Sequence, residues 1–286
     1  MYAVTGATGN TGSVVANTLL RQGNEVTVVL RDDGKAEEWK AKGAQVAIAD
    51  LADAAALTTI LRGAEGAYIM LPPQYGADDF FAAMSTLADA LAKAVKDSGI
   101  PHIVMLSSVG AQHAQGTGPI RNLHYAESVI PPAAKNSTVL HASYFLQNWA
   151  SVLGAAQNQG VLPSFFPAEA SFAQNATEDI GRIAAGLLQH PATGHKLVEM
   201  SGPRDYSPND IAAALTSILG KPVKVLALPL SAAVPTLTQA GFTPDVARLF
   251  AEMYEGAMKG LLGPSDVEQL RGTVTARESL AAMLAA

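Results

Sequence analysis

Cysteine is absent from the 286 residues, which removes disulfides, thiolate metal sites, cysteine nucleophiles and thiol redox switches. Positive charge is scarce as well: 19 Lys plus Arg stand against 25 Asp plus Glu, a net charge of −6 with no dense basic run. A nucleic-acid surface leaves a basic footprint, so no nucleic-acid partner is expected. Long apolar runs are also missing. Stretches such as residues 66–73 fall far short of the roughly 20 residues that a membrane-spanning helix requires, and no membrane partner is expected. The start Met1-Tyr2-Ala3-Val4-Thr5 carries neither the basic residues nor the apolar stretch of a secretory signal, from which a cytoplasmic location is expected. The patterns H-E-x-x-H, G-x-S-x-G and G-x-x-x-x-G-K-[ST] do not occur, so hydrolase and kinase readings have no anchor. His113, His124 and His141 are scattered along the chain, and no metal site is expected.

What is present is the composition of a globular protein, 49% hydrophobic and 15% charged, in a chain long enough to bury a substantial core. Over residues 1–155 short β-rich runs alternate with helical ones, the pattern of βαβ units in a parallel sheet. Strands are expected over 2–5, 25–30, 45–49, 67–71, 103–106 and 138–142. Helices should begin near Gly12, Lys35, Asp53, Asp79 and Asn122. Right-handed crossovers then give a doubly wound sheet with helices on both faces, and ligands bind at the C-terminal ends of its strands. From residue 156 to 286 the alternation fades into a small, mainly helical cap, partly integrated with the sheet domain. Residues 160–172 read as irregular. Ser207-Pro208 and Thr243-Pro244 open helices, and Gly220 and Gly260 close them. The apolar helix over 246–258 suits packing within a monomer or against the twofold partner of a homodimer.

The most informative segment is Gly6-Ala7-Thr8-Gly9-Asn10-Thr11-Gly12, a G-x-x-G-x-x-G turn between the first strand and the first helix. Glycines there let the backbone turn sharply and approach a pyrophosphate, while the helix N-terminus adds positive potential. Gly6, Thr8, Gly9, Asn10, Thr11 and Gly12 are therefore candidate dinucleotide contacts. At the end of the second strand a carboxylate would take the ribose 2′-hydroxyl of NAD, and a cation the 2′-phosphate of NADP. Arg31 directly follows the apolar run and Lys35 is near, which favours NADP(H) over NAD(H). Asp32 and Asp33 are the counter-argument, since either serves NAD if the strand ends one or two residues later.

Together, Gly6 to Gly12, Val29-Leu30-Arg31, Ala49-Asp50-Leu51 and Gly63-Ala64-Glu65-Gly66 resemble the NmrA-like family of atypical short-chain dehydrogenase/reductases. Leu106-Ser107-Ser108, Tyr144-Phe145-Leu146-Gln147-Asn148 and Glu178-Asp179-Ile180-Gly181 match later landmarks, so the resemblance covers most of the chain. It implies a Rossmann domain that binds NADP, with Asp50 and Leu51 approaching the adenine and Leu71, Pro72 and Pro73 passing beside the ribose nearer the nicotinamide. Members of that family include NADPH-dependent quinone and azo-dye reductases, and also cofactor-sensing regulators with little or no activity. Read from the residues alone, Asp50 equally well starts a helix, and Pro72-Pro73 says only that a strand stops.

Typical members of the wider superfamily pair a Tyr with a Lys four residues on, the cation lowering the phenol pKa. No tyrosine here has that partner; Tyr254 and Lys259 are five apart. The corresponding region holds His124-Tyr125-Ala126-Glu127, where His124 or Tyr125 would donate a proton while Ser108 holds an oxygen. Set against this, a histidine beside a tyrosine at a helix start commonly serves packing or the surface. His102 flanks one predicted strand and His141 occupies another, and both read as structural. Phe145 and Asn148 are candidates for a substrate pocket, although an aromatic residue at a helix start is usually core. Quinone reduction eases the missing pair, because hydride transfer to an electron-poor ring needs little acid assistance and water can complete protonation. The expectation is an NADPH-dependent reductase of a quinone-like or other electrophilic small molecule. The alternative is an NADP(H)-binding redox sensor that regulates a protein partner.

Overall fold

The computed structural model describes residues 1–285 and divides into two compact units that interleave along the chain. The first takes residues 1–107, 122–141 and 180–198; the second takes 108–121, 142–179 and 199 onward. The chain leaves the first unit and returns to it twice, over 108–121 and 142–179, before leaving it again at residue 199. Among the described residues no helix is long and apolar enough to cross a membrane.

The first unit alternates strand and helix: β1 (Tyr2–Val4), α1 (Gly12–Arg21), β2 (Val26–Leu30), α2 (Ala36–Ala41), β3 (Gln45–Ile48), α3 (Ala54–Leu61), β4 (Gly66–Ile69), α4 (Phe80–Ser98), β5 (His102–Ser108), α5 (Arg121–Val129) and β6 (Asn136–Ala142). β1 pairs in parallel with β2 and β4, β2 with β3, and β4 with β5. Every residue of β1, β2 and β4 is buried, as expected where helices cover both faces of a parallel sheet. Sequence order runs outward from β1 through β2 to β3, then crosses back so that β4 lies on the other side of β1. That reversal makes a switch point between β1 and β4, where the loops that follow them part and leave a crevice.

The helix starts follow their capping residues. Asp53 accepts from the amides of Ala55 and Ala56 at 3.0 Å, and Asp79 from Ala82 at 2.9 Å. Beyond β6 come β7 (Tyr144–Phe145), α6 (Leu153–Gln159), β8 (Val161–Ser164), β9 (Phe172–Asn175), α7 (Thr177–Gln189) and β10 (His195–Ser201). They are followed by β11 (Asp205–Tyr206), α8 (Pro208–Leu219), β12 (Lys224–Ala227), α9 (Ala233–Gln239), α10 (Pro244–Met258), β13 (Glu268–Arg271) and α11 (Ala276–Ala285). β10 and β13 extend the main sheet to eight strands in the order β13-β10-β6-β5-β4-β1-β2-β3. This is the doubly wound α/β architecture expected of a Rossmann-type chain.

The second unit has its own core around Leu146, Trp149, Leu153, Leu162, Tyr206, Ile211 and Leu215. It also holds two small sheets, β11-β9-β7 and β12-β8. Residues 160–172 are accordingly not irregular throughout: Val161–Ser164 pairs in parallel with Lys224–Ala227, and the Lys224 amide donates to the Gly160 carbonyl at 3.0 Å. Pro163 sits in an edge strand there, where a missing donor is tolerated, and it hides the strand from a propensity reading.

Candidate functional site

The glycine turn occupies the mouth of the switch point. After β1 the backbone enters the left-handed region at Gly6, φ +64°, and a Cβ there would also meet the Met70 side chain at 2.6 Å. A Cβ on Gly12 would overlap the Gly6 carbonyl, so the start of α1 lies directly on the turn. Gly9 closes the turn, its amide donating a hydrogen bond to the Gly6 carbonyl at 2.9 Å, and Thr8, Gly9 and Asn10 are exposed. Among the described residues, the amides of Thr8, Asn10, Thr11 and Gly12 have no acceptor. Aligned donors at a helix N-terminus, backed by glycines that leave no side chain in the way, make a cradle for a pyrophosphate. Gly6, Thr8, Gly9, Asn10, Thr11 and Gly12 thus form one loop whose open edge fits that group.

The loop is anchored from beneath. The Thr5 hydroxyl donates to the Tyr68 carbonyl at 3.0 Å and accepts from the Met70 amide at 3.1 Å. The Tyr68 hydroxyl donates to Thr11 Oγ1 at 2.9 Å. Tyr68 is wholly buried, and burial holds its phenol above the ordinary range.

At the end of β2, Arg31 is exposed and has no hydrogen bond or ion pair among the described residues. Asp32 is otherwise engaged, its Oδ1 accepting from the Gly34 amide at 3.0 Å. Lys35 is exposed at the start of α2, four residues beyond Arg31. After β3, Asp50 is exposed and accepts from the Ala52 amide at 2.9 Å, while Leu51 is half-buried. The cap of α3 is Asp53, so the helix-start role weighed for Asp50 falls to a different carboxylate. After β4, Leu71 is buried and Pro72 and Pro73 are exposed on the loop toward α4. Because these strands are parallel, residues 6–12, 31–35, 50–51 and 71–73 all leave the same edge of the first unit's sheet.

The proton-donor candidates are more dispersed. His124 and Tyr125 are exposed on α5, and the Tyr125 hydroxyl donates to Asp89 Oδ1 on α4 at 2.7 Å. That hydrogen bond, with a smaller contribution from burial, holds the Tyr125 phenol above its usual range. Ser108 belongs to the second unit, where its Oγ donates to the Val109 carbonyl at 2.9 Å. Phe145 is half-buried and Asn148 exposed, also in the second unit. Beside them Tyr144 meets Phe166 and Phe172 edge-on, with ring centroids 5.6 Å and 5.5 Å apart. Burial holds the Tyr144 phenol up, helped by Tyr254 and opposed by a hydrogen bond from Asn148.

One polar cluster escaped the sequence reading. Glu127 Oε1 accepts from the Ser107 hydroxyl on β5 and lies 2.8 Å from His141 Nε2 on β6. Ser107 and His141 are buried, and the Glu127 side chain is 20% exposed, so this carboxylate ties α5 to two neighbouring strands. The available signal was its register. Glu127 falls on the inward stripe of α5 with Leu123, Ala126 and Ile130, where an isolated surface charge does not belong.

The sequence pattern of the NmrA-like family matches residues 2–273. The chain belongs to the NmrA-like family. Among its relatives is an NAD(P)H azoreductase of Xenophilus azovorans, 26% identical over 255 residues that cover 89% of this chain and 86% of the relative. Another is quinone oxidoreductase 2 of Escherichia coli (strain K12), 25% identical over 265 residues, covering 91% and 89%. The crystal structure of an NADPH-dependent quinone oxidoreductase from Escherichia coli complexed with NADPH superposes with a TM-score of 0.84. It is 23% identical and covers 99% of this NmrA-like chain and 100% of that one. At that identity the superposition establishes the fold.

Proposed function

We propose that this NmrA-like protein is an NADPH-dependent oxidoreductase that reduces a quinone-like or other electrophilic small molecule. The observation that carries the reading is the row of acceptor-less amides at the switch point, on the same strand edge as the unpaired Arg31. The relatives named azoreductase and quinone oxidoreductase support the reaction class.

In this reading the amides of Thr8, Asn10, Thr11 and Gly12 hold the pyrophosphate, and the α1 dipole favours its charge. Arg31 forks onto the 2′-phosphate with Lys35 as a second cation; Asp32 is engaged by the Gly34 amide, and Asp33, exposed beside it, is the carboxylate left for a bare 2′-hydroxyl. Asp50 and Leu51 border the adenine, and Leu71, Pro72 and Pro73 the ribose nearer the nicotinamide. Once bound, NADPH supplies a hydride; the quinone gains that hydride and one proton to become a hydroquinone, leaving NADP+. Ser108, Phe145 and Asn148 are assigned to the substrate, and His124 and Tyr125 to proton delivery. The Tyr125 proton is already engaged by Asp89, so water carries most of the protonation. His124→Ala and Tyr125→Phe should each lower kcat by less than about tenfold.

The test is NADPH oxidation followed by absorbance, with quinones, azo dyes and small aldehydes offered in turn and NADH run in parallel. Turnover with quinones and preference for NADPH supports the proposal. No turnover, in protein that still binds NADPH, overturns the reductase reading in favour of a redox sensor. Such a sensor must bind oxidised and reduced cofactor with different affinity in its two states.

A further inference from the structure

With cysteine absent, the sulfur chemistry of this chain belongs to its eight methionines. Met84, Met105, Met200 and Met253 are buried, Met1, Met70 and Met283 are half-buried, and Met258 is 46% exposed. Met70 lies against the glycine turn. A Cβ added to Gly6 would come within 2.6 Å of the Met70 Sδ and 2.8 Å of its Cγ, so the thioether fills the place of a Gly6 side chain. Gly6 holds a left-handed φ of +64°, and the hydroxyl of the wholly buried Thr5 accepts from the Met70 amide at 3.1 Å and donates to the Tyr68 carbonyl at 3.0 Å. The backbone is thus fixed on both sides of the contact, which leaves the Met70 side chain as the part that can move. A thioether suits the contact because it is apolar and polarisable. A sulfoxide does not, because its oxygen needs a donor or water. Turned toward Gly6, that oxygen meets a Cα that offers no N–H or O–H; turned toward solvent, it draws the sulfur off Gly6 and leaves the turn unsupported.

We propose that Met70 is an oxidation site that governs the dinucleotide turn: hydrogen peroxide converts its thioether to the sulfoxide, and NADPH then binds more weakly. In that step a sulfur lone pair takes one oxygen from the peroxide, the O–O bond breaks, the sulfur is oxidised by two electrons, and the peroxide is reduced to water. Methionine sulfoxide reductases return the thioether, so the change is reversible. The proposal rests on the dinucleotide reading above and adds a covalent control of the same site.

The experiment treats the purified chain with hydrogen peroxide and removes the oxidant by gel filtration. Peptide mass spectrometry then reads the sulfoxide at each methionine, and calorimetric titration reads the NADPH Kd. Sulfoxide at Met70 should accompany a rise in Kd of about tenfold, and repair by methionine sulfoxide reductases should reverse it. Met70→Leu, which keeps the volume without the sulfur, should show the same Kd before and after peroxide, whatever its untreated value. Met258→Leu should lose affinity on treatment as the wild type does. Peroxide that oxidises Met258 and spares Met70 overturns the proposal. So does a Kd that stays put when Met70 is oxidised, or an equal loss on treatment in Met70→Leu. Failure of the untreated wild type to bind NADPH is a separate outcome, which overturns the dinucleotide reading and this proposal with it.

Discussion

Arg31 stands exposed at the tip of β2 with no partner of its own, whereas most surface cations nearby are already paired: Lys40 with Glu37 and Lys42 with Glu38. A guanidinium left free at that strand end is suited to a phosphate dianion. Arg31→Ala should therefore weaken NADPH by about tenfold or more and leave NADH nearly unchanged, as read from the two Kd values. An equal loss for both cofactors would remove the 2′-phosphate role. Glu127 makes a different argument, since it satisfies two buried groups at once. Glu127→Ala should lower the free energy of unfolding by about 2–4 kcal/mol in a urea titration, the cost of orphaning Ser107 and His141. The two residues also differ in how visible they were. Arg31 follows its strand directly, so chain order alone placed it; Glu127 meets partners 20 and 14 residues away on two strands, and only the pairing of β5 with its neighbours brings them together.

The helices owe their starts to local chemistry that the sequence states openly. Ser207 accepts from the Asp210 amide at 3.1 Å, and the Asp210 carboxylate accepts in return from the Ser207 amide at 2.8 Å, a reciprocal cap on α8. Ser207→Ala should cost about 1 kcal/mol of stability. The Ser207 amide holds the Asp210 carboxyl below its ordinary range, helped by the Ser207 hydroxyl and Arg204. A depressed carboxyl stabilises the fold above its unfolded pKa, and the effect fades as pH falls through the folded value. The melting-temperature gap between wild type and Asp210→Asn should thus be present at neutral pH and close in acid; a gap that persists in strong acid would show that the cap does not depend on charge. Strands were less evenly legible. β1, β2 and β4 are mostly apolar and bounded by turns, but β10 carries Glu199 inside it. That carboxylate is buried and satisfied by the Ser265 amide and hydroxyl at 3.0 Å and 2.6 Å, a long-range bond that no local pattern announces. β13, with the sequence Glu-Gln-Leu-Arg, is polar and edge-placed, so it lacks the usual apolar signal as well.

At the level of the molecule, chain order and spatial order part company. The first unit collects three separated stretches, and α7 and β10 each begin in one unit and end in the other. The first 107 residues follow chain order and the remainder is interleaved, so the glycine turn and its flanking strand and helix were legible in the sequence and the composition of the second unit was not. The proposed cradle lies wholly within the first unit, in residues 6–73, and this makes cofactor binding the proposal most open to direct test. A ligand bound only by the native state stabilises it, so NADPH at one hundred times its Kd should raise the unfolding free energy by about 2.7 kcal/mol. The decisive measurement is the titration itself, NADPH and NADH each added to the purified protein in a calorimeter. The account predicts one site per chain, with NADPH bound at least about tenfold more tightly than NADH. No heat of binding and no thermal stabilisation with either nucleotide would contradict it.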